Sequence, residues 1–215
     1  MTIPRESPYV WVSWLTKLMV GDNSCEWATW FKAHYQGYEK VPGDFDLDAW
    51  QMAHTADLDD LRVKLEADGL AVFTENQNSF RLRGSSATLA GTPDLISLVG
   101  RTGTIYDVKT GRRRASDSAQ VMVYMWAIPR VLSQYKGVAF DGKVVYRGHV
   151  VNIPAVAVDE RFIDNLTQLI RRVGSLEPAR KVPSPSECGF CDITKGDCAD
   201  RAVDGRSAEA ETDEF

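Results

Sequence analysis

The chain has 215 residues, 44% hydrophobic and 26% charged, which is enough apolar material for one domain with a real core. No apolar run is long enough to span a bilayer, and the opening stretch MTIPRESPYVWVSW lacks the apolar segment of a secretory signal, so a cytoplasmic protein with no membrane partner is expected. The net charge of −5 argues weakly against a polyanionic partner, but five acids against one base sit in residues 204–215. The rest is close to neutral and can still carry a basic groove, because local field rather than net charge guides a ligand.

Taken in order, Ser13 is a candidate N-cap for a short helix over WLTKLMV, and GDNS makes a turn. Cys25 then opens a helical stretch, EWATWFKAHY, whose Trp27 and Trp30 read first as core and second as stacking surfaces for unpaired bases. After the loop VPGDFD, apolar residues at Trp50, Ala53, Leu58, Leu61 and Leu65 keep helical spacing from Asp48 to Asp68, and Gly69 is a natural stop. LAVFTENQ, SFRLRG, TLAGTPDLISLV and GTIYDVKTG read as strands, with GRTG as a hairpin turn between the last two. Past Arg112, Arg113 and Arg114 comes a helix, SDSAQVMVYMWAIPRVL, then a strand, KVVYRGHVVNI, then an amphipathic helix, DERFIDNLTQLIRRVGSL. The proline-punctuated linker EPARKVPSPSE leads to the last cysteines. Helices, then hairpins, then helix–strand–helix predict an α/β domain with a mixed central sheet flanked by helices, over residues 1–203. The small, polar, acidic segment 204–215 is expected to be a disordered tail.

GTIYDVKTG places a carboxylate and an ammonium two positions apart, so Asp107 and Lys109 share a face of their strand while Val108 takes the other. An isolated Asp-x-Lys is most often a surface pair. Here the hairpin brings Asp94, of GTPDLI, toward Asp107, and two carboxylates pushed together repel unless a cation lies between them. Hard oxygen ligands suit Mg²⁺ or Mn²⁺. A divalent ion beside a lysine is suited to phosphodiester hydrolysis, where a water is activated and charge grows on phosphorus oxygens.

The cysteines are Cys25, Cys188, Cys191 and Cys198. The spacing Cys-x2-Cys-x6-Cys reads as a metal-binding knuckle one ligand short, with Cys25 at the far end of the chain as the only candidate for the fourth. Four thiolates suit tetrahedral zinc.

Pro93-Asp94 followed by Asp107-Val108-Lys109 resembles the signature of PD-(D/E)XK nucleases. Gln120 and Tyr124, four apart on one helix face, are similar to the Gln-x3-Tyr motif of RecB-like members. One cysteine before the core and three after it resemble the iron–sulfur branch, which includes CRISPR-associated RecB-like exonucleases and AddB-type nuclease domains. The resemblance implies a restriction-endonuclease-like fold whose termini are joined by a 4Fe–4S cluster at Cys25, Cys188, Cys191 and Cys198, with zinc as the alternative. It implies Asp94 and Asp107 as metal ligands with His54 completing the set, Lys109 assisting the water, and Gln120 and Tyr124 contacting nucleic acid or supporting the lysine. His34 and Glu75 rank below His54, and the three arginines are candidates for phosphate contact. The implied activity is exonucleolytic cleavage of single-stranded DNA or DNA ends, in recombination, phage DNA processing or CRISPR spacer acquisition. A helicase, recombination or CRISPR-adaptation partner would prepare the strands. The rival expectations are a catalytically silent DNA-binding or adaptor module and a zinc-stabilised interaction protein.

Overall fold

The structure is a computed structural model that describes residues 1–43 and 46–204, so the expected acidic tail lies, beyond Asp204, outside the described residues. Two short strands, β1 (Ile3–Pro4) and β2 (Tyr9–Trp11), precede α1 (Val12–Val20) and α2 (Glu26–His34), and β3 (Tyr35–Gln36) pairs back on β1. The long helix α3 (Leu47–Ala67) is followed by β4 (Ala71–Thr74), the single turn α4 (Glu75–Asn78), β5 (Phe80–Arg83), β6 (Thr88–Gly91), β7 (Leu95–Val99) and β8 (Thr102–Lys109). Then come α5 (Ala115–Val131), β9 (Ala139–Tyr146), β10 (His149–Ile153), α6 (Glu160–Val173) and the short α7 (Pro185–Gly189).

The main sheet has five strands in the order β10-β9-β8-β7-β4, and only β8 and β9 run parallel. Parallel neighbours need a crossover, and α5 supplies it, forming a β8-α5-β9 unit. A second sheet of three strands, β2-β6-β5, packs beside it. The chain passes from one sheet to the other at Thr92–Asp94, so TLAGTPDLISLV is two strands rather than one. Pro93 has no amide hydrogen to give a ladder, which makes it a natural place for that switch.

Burial follows the alternation along β8. Ile105 lies in the main core with Val121, Val123 and Ile128 of α5, whereas Tyr106 packs with Leu65 of α3 and Leu95 of β7. The register pairs Leu95 with Tyr106, so Asp94 stands opposite Asp107 one step beyond the ladder. Asp107 thus occupies the face that α5 covers. The second layer of that core comes from α1, α2 and α6. On α6, Leu166, Leu169 and Val173 are buried at helical spacing, and Asp159 caps the helix by accepting from the Phe162 amide at 2.7 Å. Asp46 caps α3 in the same way, through the Ala49 amide at 2.9 Å, so the helix starts at Leu47, one residue before the expected Asp48.

Three local expectations are corrected. KVVYRGHVVNI is two antiparallel strands turning at Arg147-Gly148, where Gly148 takes a φ of 75° that suits glycine alone. LAVFTENQ leaves the strand at Glu75 because Thr74 and Gln77 form a reciprocal capping box that starts α4. Ser13 does not cap α1, which begins a residue earlier behind Trp11.

Candidate active site

The carboxyl ends of β8 and the start of β7 meet α3 and α5 at a cavity of about 500 Å³. Asp94, Asp107, Lys109, Gln120 and His54 all line it, together with Glu75. Asp107 is 1% exposed and Asp94 7%, which is unusual for carboxylates without compensating partners. Asp94 Oδ2 accepts from the Val108 amide at 2.6 Å and lies 3.5 Å from His54 Nε2. Asp107 Oδ1 accepts from the Gln120 side-chain amide at 3.0 Å, and Gln120 also donates to the Tyr124 hydroxyl at 3.0 Å. Gln120 and Tyr124 therefore hold Asp107 from α5.

The other oxygen, Asp107 Oδ2, lies 2.7 Å from Lys109 Nζ, yet it is a buried acceptor without a well-directed hydrogen bond. The contact is an ion pair, and among the described residues no other group approaches Oδ2 as a donor. Burial pushes the Asp107 carboxyl well up from its ordinary range, and Lys109 pulls it back. Burial also opposes the charge on Lys109, but Asp107, then Asp94 and Asp117, outweigh it and hold the ammonium above its ordinary pKa. The hydrogen bond to Asp94 raises His54 against the effect of its burial. Burial and the nearby Asp94 raise Glu75. These groups form one electrostatic unit.

Among the described residues, no three His, Cys, Asp or Glu side chains converge as a metal-binding group. In this arrangement the two catalytic-strand carboxylates spend oxygens on the Val108 amide, Gln120 and Lys109. The donor chemistry nevertheless fits a hard divalent cation: two carboxylates, a neighbouring imidazole and one buried oxygen without a directed hydrogen bond.

The cysteines stand elsewhere. Cys25, Cys188, Cys191 and Cys198 line a second cavity of about 170 Å³, but their side chains do not draw together into a ligating group. The termini are therefore not drawn together through the four thiols in this arrangement, and the joining cluster expected from the sequence is not seen among the described residues. The two ends of the chain are instead held by hydrogen bonds and ion pairs. Glu187 accepts from the Ser24 and Cys25 amides at 2.7 and 3.2 Å, and Asp192 pairs with Lys32 at 2.8 Å. The Arg201 guanidinium donates to the Cys191 and Ile193 carbonyls at 3.0 and 2.9 Å.

His34 is far from the carboxylates in its contacts, stacked on Trp30 and bonded to the Val173 carbonyl at 3.2 Å. Trp27 and Trp30 are core, 9% and 7% exposed. Arg112, Arg113 and Arg114 form an exposed connection after β8, where Arg113 meets His149 at 2.8 Å. Trp50, Gln51 and Thr55 also line the catalytic cavity from α3, and sequence reasoning places Trp50 only among the apolar residues at helical spacing. The signal was available, since Trp50 lies four residues before His54 on one helix.

A solved structure described as "Crystal structure of SSO0001" aligns over 87% of this chain and 84% of its own, at 13% identity and a TM-score of 0.45, too distant to carry an argument. Among curated proteins no sequence matches at a significant level. The family model described as "PD-(D/E)XK nuclease superfamily" matches residues 26–195, which takes in both carboxylates, the lysine and the mixed sheet that carries them. With that match over most of its length, and with a mixed sheet flanked by helices in the restriction-endonuclease-like manner, the chain belongs to the PD-(D/E)XK nuclease superfamily.

Proposed function

We propose that the protein is a metal-dependent exonuclease acting on single-stranded DNA or DNA ends, with residues 1–203 as its nuclease domain. The observation that carries the reading is the buried Asp107, opposite Asp94 and 2.7 Å from Lys109, with one carboxylate oxygen left without a directed hydrogen bond. Asp94 and Asp107 would hold Mg²⁺ or Mn²⁺, and His54 would complete the set. Bound there, a divalent ion supplies an activated water and positive charge beside a phosphate. Lys109 keeps its proton, so it offers a fixed positive charge where negative charge grows on the phosphorus oxygens. Gln120, braced by Tyr124, fixes the orientation of Asp107.

The same reading assigns a 4Fe–4S cluster to Cys25, Cys188, Cys191 and Cys198. What supports it is that all four cysteines line one cavity. Iron and sulfide analysis of anaerobically purified protein tests that assignment, and zinc without iron overturns it. Digestion is tested on linear and circular single-stranded DNA of the same sequence, in Mn²⁺. Loss of the linear strand with survival of the circle is expected, and equal cleavage of both would replace the exonuclease with an endonuclease.

A further inference from the structure

Lys109 begins a row of side chains that continues past the catalytic cavity. It pairs with Tyr146 of β9, and Tyr146 pairs in turn with His149 at the start of the edge strand β10. Residues paired across a sheet project from the same face. Here that face is the one α5 covers, since the Tyr146 hydroxyl donates to Asp117 of α5 at 2.7 Å and its ring lies 6.5 Å from that of His149. Two strand spacings, about 10 Å, separate the backbones of Lys109 and His149. Arg113 reaches over from the β8–α5 connection and places Nη1 2.8 Å from His149 Nε2. Arginine has no acceptor, so Nε2 accepts, and the bond uses one of the five guanidinium N–H groups. The partner is the informative part. Arg62, Arg147 and Arg172 all meet carboxylates, which cancel their charge. The exposed Arg113 is held by an imidazole that accepts a hydrogen bond, which fixes the guanidinium and leaves its charge uncancelled.

The opposite wall of the cavity carries the other sign. Helix α3, which brings His54, holds five acids against two bases, with Asp57 paired to Arg147 at 3.0 Å. A polyanion lying along α3 would meet net negative charge, whereas one crossing the ends of β9 and β10 meets Arg113. Resting on the nuclease reading, we propose that Arg113 binds a backbone phosphate of the substrate strand beside the scissile one, with His149 as its positioning residue. The strand then leaves the cavity over β9 and β10 and not along α3. A guanidinium fixed at one end presents the fork that phosphate oxygens match, at less cost in side-chain freedom than an unanchored arginine. The contact reads no base, so it adds affinity without sequence preference.

The test measures binding of a fluorescently labelled oligothymidylate by anisotropy over a series of salt concentrations, in EDTA so that cleavage does not enter. Arg113→Ala should weaken binding about 5- to 10-fold at about 50 mM salt and flatten the slope of log affinity against log salt by about 0.7, the share of one phosphate contact on a single strand. Arg113→Lys should keep the parent's slope, because the charge remains. His149→Ala should weaken binding about 2- to 5-fold with the slope unchanged. His149→Gln, whose amide oxygen can accept from Arg113, should restore the affinity. In an Arg113→Ala background His149→Ala should cost nothing further, because its effect passes through the arginine. Asp48→Asn, on the α3 wall, should stay within about twofold of the parent. An unchanged slope in Arg113→Ala, or no strand binding by the parent, would overturn the subsite. A full His149→Ala loss without Arg113, or no rescue by His149→Gln, would overturn the positioning role. A gain from Asp48→Asn as large as the Arg113→Ala loss would overturn the path, placing the strand along α3. Cleavage is followed separately in Mn²⁺. No cleavage alongside Arg113-dependent binding would sink the hydrolase reading alone, and cleavage with a slope indifferent to Arg113 would sink the subsite alone.

Discussion

Gly142, in the middle of β9, packs against the helix that carries Gln120, and Gly142→Ala is a substitution that exposes how scaffold and site are coupled. A Cβ there would lie 2.3 Å from Val121 Cγ1, 2.8 Å from Met125 Sδ and 3.4 Å from Ile153 Cβ. Met125 can swing aside, being flexible. Val121 is fully buried and β-branched, so its χ1 has little freedom and the contact is relieved only if α5 moves. Restoring an ordinary carbon–carbon contact of about 3.5 Å requires a shift of roughly 1.2 Å. Overpacking of this kind costs about 1–3 kcal/mol. Stiffening the unfolded chain returns about 0.4–1 kcal/mol. Because the rigid Val121 puts the cost toward the upper part of that range, the net loss is about 1–2 kcal/mol, and Tm should fall by about 2–8 °C for a chain of this length. Gln120 directly precedes Val121, so the same shift stretches its 3.0 Å bond to Asp107, and cleavage should fall together with stability. Thermal unfolding followed by circular dichroism is the assay. Gly111→Ala is the control, since its Cβ would meet nothing within 4 Å. A Gly142→Ala protein that melts within about 1 °C of the parent would refute the packing argument.

Other substitutions separate chemistry from folding. Asp94→Asn can keep a carbonyl oxygen on the Val108 amide, so cleavage should disappear while stability changes by under about 1 kcal/mol, read as melting within a few degrees of the parent. A large loss of stability there would mean that the carboxylate is structural. On the proposed cluster assignment, Cys25→Ser should lower bound iron in anaerobically purified protein, whereas full iron content in that variant would remove Cys25 from the proposed ligands.

Much of this arrangement was legible in the sequence, where one physical signal dominated. The alternation in β8 put Asp107 and Lys109 on one face, and a hairpin read from GRTG put Asp94 opposite, because register in a hairpin follows from its turn. The buried stripe of α6 and the start and stop of α3 were written in spacing and caps. What escaped was set by tertiary contacts or by single residues. The turn at Arg147-Gly148 was hidden because both flanking segments are β-rich, and only one glycine divides them. The strands β1, β2 and β3 are two or three residues long and exist through their partners, not through any periodicity of their own. The switch between sheets at Thr92–Asp94 is likewise a matter of what each half pairs with. Trp50 was counted among the apolar residues at helical spacing on α3, yet among the described residues of that helix only Leu65 is buried. No helix among the described residues is long and apolar enough to cross a membrane.

The central claim is that Asp94, Asp107 and Lys109 form a working phosphodiesterase site. Its most direct test is cleavage of end-labelled single-stranded DNA in Mn²⁺ or Mg²⁺ by anaerobically purified protein, beside Lys109→Ala and beside the parent in EDTA. Cleavage by the parent that is lost in both comparisons is the predicted result. Cleavage that persists undiminished in Lys109→Ala, or a parent that is inert with either metal while correctly folded, would contradict it.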